Sequence, residues 1–192
     1  MLADGACGPV VGVMRGGALG DFVLTLPAIA ALRAAHPDCR LALLAHARYA
    51  ALAGPDLVVD LDGAAVAGLY AAPPAEGGAA RTGTAALDAG LRRLLGRTRV
   101  LLAYSTDSSG RLADNLSRWA AGQVHLADPR PAAGSLDHQT AHLAAPLRAL
   151  GIPVPSLVPR VSAALLGWPE AGTGPPSSPG PAVLLHPGSL PR

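Results

Sequence analysis

The stretch VMRGGALGDFVLTLPAIAALR, Val13–Arg33, decides the fold. An aliphatic run, Val10–Met14, breaks at Arg15 into a glycine-rich turn, and an almost wholly apolar segment begins after Asp21. Strand, glycine turn and helix in that order open a βαβ unit. The helix is predicted from Phe22 to Ala35, with Pro27 inside it as a kink or a delay.

The same alternation continues along the chain. Further strands are predicted at Leu41–His46, Leu57–Leu61, Val100–Tyr104 and Gln123–Leu126, and further helices at Thr84–Leu95, Leu112–Ala121 and His138–Leu150. Both kinds of element are apolar at most positions, as expected of a parallel sheet covered on both faces. The fold class is therefore α/β, a Rossmann-like doubly wound parallel sheet. Residues 1–166 are read as one domain, within which Tyr70–Gly83 reads as a mobile Pro/Gly/Ala loop. Residues 167–181, rich in Pro, Gly and Ser, read as an interdomain linker. Residues 182–192 read as the first strand and turn of a second domain whose remainder is missing.

The 192 residues are 50% hydrophobic and 15% charged, a composition able to bury a core and unlike that of a disordered chain. The net charge of +2 is well short of the positive stripe of a nucleic-acid binder. All 15 basic residues are Arg, a bias expected of a GC-rich genome. Cys7 and Cys39 are too few for a disulfide framework and fit a reducing compartment. No basic leader precedes the first strand, and no apolar run reaches the ~18 residues of a membrane span. The expectation is a cytoplasmic protein with no nucleic-acid partner.

The first turn carries the chemistry. Gly16, Gly17 and Gly20 let the backbone approach a ligand, and a helix N-terminus offers positive potential there. A dinucleotide fingerprint, G-x-G-x-x-G, is not met, because Arg15 holds the first glycine position. The second strand ends in Ala45-His46 with no acidic residue for a ribose, which further disfavours a nucleotide-binding oxidoreductase. Asp21 has two readings. It can cap the helix starting near Phe22, a contribution of about 1 kcal/mol. It can also act as a general base at the edge of a crevice, accepting a proton from a substrate hydroxyl. Arg15 reads either as a partner for an acidic acceptor or as an ordinary surface Arg.

The run MRGGALGDFVLTLPAIAALRAAHP resembles the N-terminal signature of glycosyltransferase family 9, the ADP-heptose:lipopolysaccharide heptosyltransferases. RLALLAHARYAAL, HQTAHLAAPLRALGIPVP and LLHPGS extend the likeness to the second strand and helix, to the helix closing the acceptor domain, and to the start of the donor domain. The resemblance implies the N-terminal half of a GT-B architecture and metal-independent, inverting transfer of a heptose from a nucleotide-sugar, with ADP-heptose as donor substrate and no cofactor. It implies that Asp21 is the catalytic base, that Arg15, Gly16, Gly17 and Gly20 lie on the acceptor side, and that His186, Gly188 and Ser189 begin the donor site. The acceptor it implies is a lipid-linked or other glycan of lipopolysaccharide core or related surface-glycan assembly, met by a cytoplasmic enzyme peripheral at the inner face of the membrane. With the donor half missing, transfer by this chain alone is not expected. A non-catalytic Rossmann-like remnant or binding module is the alternative.

Other candidates have plain readings. His138 and His142 lie one helical turn apart but lack a third metal ligand, and read as helix-start or helix-surface residues. Ser105, Asp107 and Ser108 follow a strand end, where open α/β folds place ligand groups, although Asp107 equally suits a turn. Trp119 and Trp168 read as packing residues.

Overall fold

The computed structural model describes residues 8–71 and 87–161. Five parallel strands form one sheet: β1 (Val10–Arg15), β2 (Arg40–Ala45), β3 (Leu57–Asp60), β4 (Thr98–Tyr104) and β5 (Gln123–Ala127), in the spatial order β3-β2-β1-β4-β5. The longer helices are α1 (Leu19–Ala35), α4 (Ala89–Leu95), α5 (Arg111–Trp119) and α6 (Gln139–Ala149); α2 (Ala47–Ala50) and α3 (Ala67–Tyr70) are single turns, each joined to a short 3-10 segment.

Alternation along the strands builds two cores. Val11 and Val13 of β1, Leu41 and Leu43 of β2 and Leu102 of β4 face α1 and α6, packing against Phe22, Ile29, Leu32 and Leu147. Val10 and Met14, Leu44 and Leu101 face the other way, onto Leu91 and Leu95 of α4 and Leu112 and Leu116 of α5. The sheet is thus covered on both sides, which is why its strands read in sequence as unbroken apolar runs. Tyr104, buried at the end of β4, donates its hydroxyl to the Leu143 carbonyl and ties α6 to the sheet. Burial holds that phenol far above its usual pKa, so it remains a neutral donor.

Several boundaries differ from the sequence expectation for identifiable reasons. Helix α1 begins three residues before Phe22, with Ala18 at its N-cap position and the Phe22 N–H bonded to the Ala18 carbonyl at 3.1 Å. Pro27 is buried inside α1, which continues past it to Ala35, so it neither delays nor ends the helix. Within the described part of Thr84–Leu95, the helix begins only at Ala89. Asp88 caps it, its carboxylate accepting from the N–H groups of Gly90 and Leu91 at 2.8 and 3.0 Å. Tyr70 closes α3 and does not belong to the loop assigned to it; residues 72–83 of that loop, the linker 167–181, Trp168 and the terminal strand and turn lie outside the described residues. Trp119 is partly buried in the second core, with the Arg92 guanidinium 4.7 Å from its ring centroid.

Candidate functional site

In this strand order the chain moves from β1 to one side of the sheet and later returns to place β4 on the other, so the carboxyl ends of β1 and β4 flank the topological switch point, where open α/β sheets bind ligands. A cleft of about 670 Å³ opens there. Arg15, Gly16, Gly17 and Asp21 form its β1 side, Ser105 and Thr106 its β4 side, and Arg130 and Gln139 the side beyond β5. Leu24, Leu61 and Tyr70 add apolar surface to its lining.

Asp21 lies in the first turn of α1, not at its cap, and does not enter the cap through the usual side-chain route. Ala18 has no side-chain oxygen to offer, so only the reciprocal half of a capping box forms: Asp21 Oδ2 accepts from the Ala18 N–H at 3.1 Å. Arg15 Nη2 lies 3.4 Å from Asp21 Oδ1, and Arg15 Nε donates to the Asp21 backbone carbonyl, also at 3.4 Å. Thr25 Oγ1 donates to the same carbonyl at 2.9 Å. The Asp21 side chain is nevertheless 50% exposed. A carboxylate offers about four acceptor directions, so lone pairs remain for a ligand hydroxyl. The Ala18 N–H, in the turn at the start of α1, is thus already bonded to Asp21 itself.

Arg15 is not a surface residue: only 5% of it is exposed, between β2 and β4 neighbours Ala45 and Tyr104. Burial lowers its pKa, opposed by the charge of Asp21 and then by Tyr104, but a guanidinium titrates so high that it stays charged. Its role in the geometry is to hold Asp21 from below.

Gly17 has φ +95°, and a Cβ there would sit 2.8 Å from Asp21 Oδ2. The turn therefore needs glycine twice over, for its backbone and for the carboxylate folded against it. Gly16 lies near Leu61, whose Cδ1 would be 3.6 Å from an added Cβ. Gly20 is exposed on α1 with open space around it and does not line the cleft. Gly17→Ala is expected to destabilise the fold by about 1–2 kcal/mol, the cost of a side chain in a left-handed conformation, and to displace Asp21. Thermal denaturation and the loss of the Asp21–Ala18 contact in an amide NMR spectrum check it.

Ser105 is in the cleft as its position after β4 implied, but Ser108 is not among the lining residues. Asp107 fastens the start of α5, accepting from the Ala113 N–H at 2.9 Å and from Ser109 Oγ at 3.2 Å, and these bonds hold its pKa below the usual range. His138 occupies the N-cap position of α6 and accepts from the Thr140 N–H, while His142 Nε2 lies 2.8 Å from the Asp128 carbonyl, so both serve the helix and its neighbouring loop. Among the described residues, His46, Asp60 and Asp62 have potential ligand atoms within 4.8 Å of one another. Their contacts are those of a fastened turn: Asp60 Oδ1 accepts from the N–H groups of Ala47 and Asp62, and His46 Nδ1 lies 2.9 Å from Asp62 Oδ2. His186, Gly188 and Ser189 lie outside the described residues.

Tyr70, Arg130 and Gln139 are among the cleft residues that position in the sequence alone does not mark. Arg130 Nη2 lies 3.2 Å from Thr106 Oγ1, bridging the loops after β5 and β4, and Gln139 Nε2 donates to the Pro129 carbonyl at 2.6 Å. The rule that marked Ser105, position just past a strand end, applies equally to Thr106.

No protein-family model matches the chain, and no curated protein matches it. Its fold is similar to that of the glycosyl transferase family 9 protein of Veillonella parvula, at 15% identity and a TM-score of 0.51, covering 80% of this chain and 45% of that one. It is likewise similar to E. coli heptosyltransferase WaaC solved with ADP, at 16% identity and a TM-score of 0.50, covering 82% of this chain and 52% of that one. The chain thus spans about half the length of each, and the likeness establishes a fold shared with glycosyltransferases of the family that its first turn resembles.

Proposed function

We propose that the cleft is the acceptor side of a glycosyltransferase site in which Asp21 is the general base. The observation that carries this reading is a half-exposed carboxylate at the switch-point cleft, held by a buried Arg15 on one oxygen and a backbone N–H on the other. As the acceptor oxygen attacks the anomeric carbon of a nucleotide-sugar, its proton passes to Asp21. The bond from that carbon to the diphosphate breaks, with inversion, and the nucleoside diphosphate leaves. The mixture of apolar and polar side chains in its lining suits a sugar, which has C–H faces and hydroxyl edges.

The donor is proposed to be ADP-heptose. Support comes from the sequence resemblance and from the shared fold with a heptosyltransferase solved with ADP. His186, Gly188 and Ser189 are proposed to meet the diphosphate, opposite Asp21. The acceptor is proposed to be a lipopolysaccharide-core or related surface glycan, reached at the inner face of the cytoplasmic membrane. Among the described residues no helix is long and apolar enough to cross a membrane. The test is transfer of labelled heptose from ADP-heptose to a deacylated inner-core oligosaccharide by the protein carrying this sequence. Product whose formation requires Asp21 supports the reading, and product formed equally without it removes Asp21 from the mechanism.

A further inference from the structure

Tyr70 is the one aromatic side chain of the cleft besides buried Tyr104 among the described lining residues, and it is 49% exposed. The ring is half in water, and the backbone around it is fixed. Asn115 of α5, only 7% exposed, donates from Nδ2 to the Leu69 carbonyl at 2.9 Å and to the Ala71 carbonyl at 3.0 Å. The carbonyls of the residues on either side of Tyr70 are thereby clamped by a single buried amide. Leu69 is fully buried beneath them, in the core that contains Leu112 and Leu116. A buried amide is retained at a site where both its donors are used, since an unmet one would cost free energy. The result is an anchored segment whose ring stays half exposed in the cleft lining.

Tyr70 lines the cleft together with Leu61 and Leu24, and Ser105, Thr106, Arg130 and Gln139 bring hydrogen-bonding groups to the same cleft. An aromatic face carries negative potential and attracts the polarised C–H groups of one face of a pyranose, leaving the hydroxyl edge for polar partners. We infer that Tyr70 is the platform on which a sugar ring of the acceptor stacks, and that Asn115 is the residue that positions it. This rests on the acceptor-cleft reading above, and it adds to that reading the means by which the acceptor ring is oriented toward Asp21.

The test is a chemical-shift titration of the 192-residue chain with a deacylated inner-core oligosaccharide of lipopolysaccharide, the amides of Gly16, Gly17 and Ser105 reporting on the cleft. Tyr70→Phe keeps the ring and is expected to bind within about twofold of the unaltered chain, whereas Tyr70→Ala is expected to bind about tenfold more weakly, the scale of one lost aromatic contact. Tyr70→Ala removes an exposed ring and leaves both cores intact, so folding is preserved. Asn115→Ala is expected to weaken binding about fivefold in the unaltered background and not at all in the Tyr70→Ala background, because its effect passes through the ring. Cleft shifts with undiminished affinity in Tyr70→Ala overturn the platform while leaving the acceptor cleft standing. An Asn115→Ala effect that persists without the ring overturns the positioning role. Absence of any cleft shift in the unaltered chain overturns the acceptor reading and the platform with it.

Discussion

If Asp21 is the proposed base, Asp21→Asn in the protein carrying this sequence is expected to lower sugar transfer by about a hundredfold or more, with the loss falling on kcat and little change in KM. On capping rules alone the swap would leave stability untouched, because Asn caps helices about as well as Asp. The geometry alters that expectation. Asp21 is not the cap: its two oxygens serve two different donors, Arg15 Nη2 and the Ala18 N–H. An Asn side chain has a single acceptor oxygen, so one donor faces an NH₂ group and goes unmet. Arg15 is the more costly one to leave, since it is buried and Asp21 is half in solvent. The stability loss is expected at about 1–2 kcal/mol, in the lower part of the range for an unmet buried donor because water reaches the carboxylate side. For a chain of this size that lowers Tm by about 2–8 °C. Initial rates of transfer with both substrates saturating, beside a melting curve, separate the two effects. Transfer reduced by less than tenfold in a folded variant is incompatible with Asp21 as the base.

Gly122→Ala is expected to be the most destabilising single methyl in the described fold, costing about 3 kcal/mol. An added Cβ would lie 2.1 Å from the Arg99 carbonyl oxygen, 2.6 Å from its carbon and 2.7 Å from its Cα. All three are backbone atoms of β4, which is paired with β1 on one side and β5 on the other. Relief therefore requires the start of β5 to leave the sheet, beginning with the Val100–Gln123 pairing. Gly12→Ala is the instructive comparison. Its Cβ would approach Leu101 Cδ1 at 2.8 Å, the far end of a flexible side chain, and the expected cost is about 1 kcal/mol. Urea unfolding should lower the midpoint of Gly122→Ala far more than that of Gly12→Ala, with similar slopes for the two. Equal losses would mean that β4 yields more readily than its pairing on both edges implies.

The sheet was legible because both its faces are covered: Val10–Met14, Leu41–His46 and Val100–Tyr104 are apolar runs that need no alternation to be read as strands. The last residue of β1 was missed because Arg15 carries a charge, yet that charge is buried and the strand pairs through it to Ala45 and Tyr104. The helical turns at 47–53 and 64–70 are too short to show a period, and alanine-rich besides. Helix α1 starts three residues earlier than capping rules suggest, because Ala18 takes the cap position without a capping side chain, whereas Asp21 is the residue in this turn that has one. Within the site, the glycine turn, Asp21 and Ser105 were visible from position alone. Tyr70, Arg130 and Gln139 were not, because their presence in the cleft depends on how α3, the loop after β5 and the start of α6 come to rest around β1 and β4.

Arg15 projects from the central strand of the sheet, and Asp21 leans on it. The carboxylate therefore inherits its coordinates from the least deformable part of the molecule, whereas Thr106 and Arg130 hang from connecting segments. Loops of that kind can be rebuilt by insertion or exchange at small cost to the scaffold. Evolution is left with a fixed reference point and an adjustable surround, so that new ligands can be accommodated without retuning the charge they are delivered to.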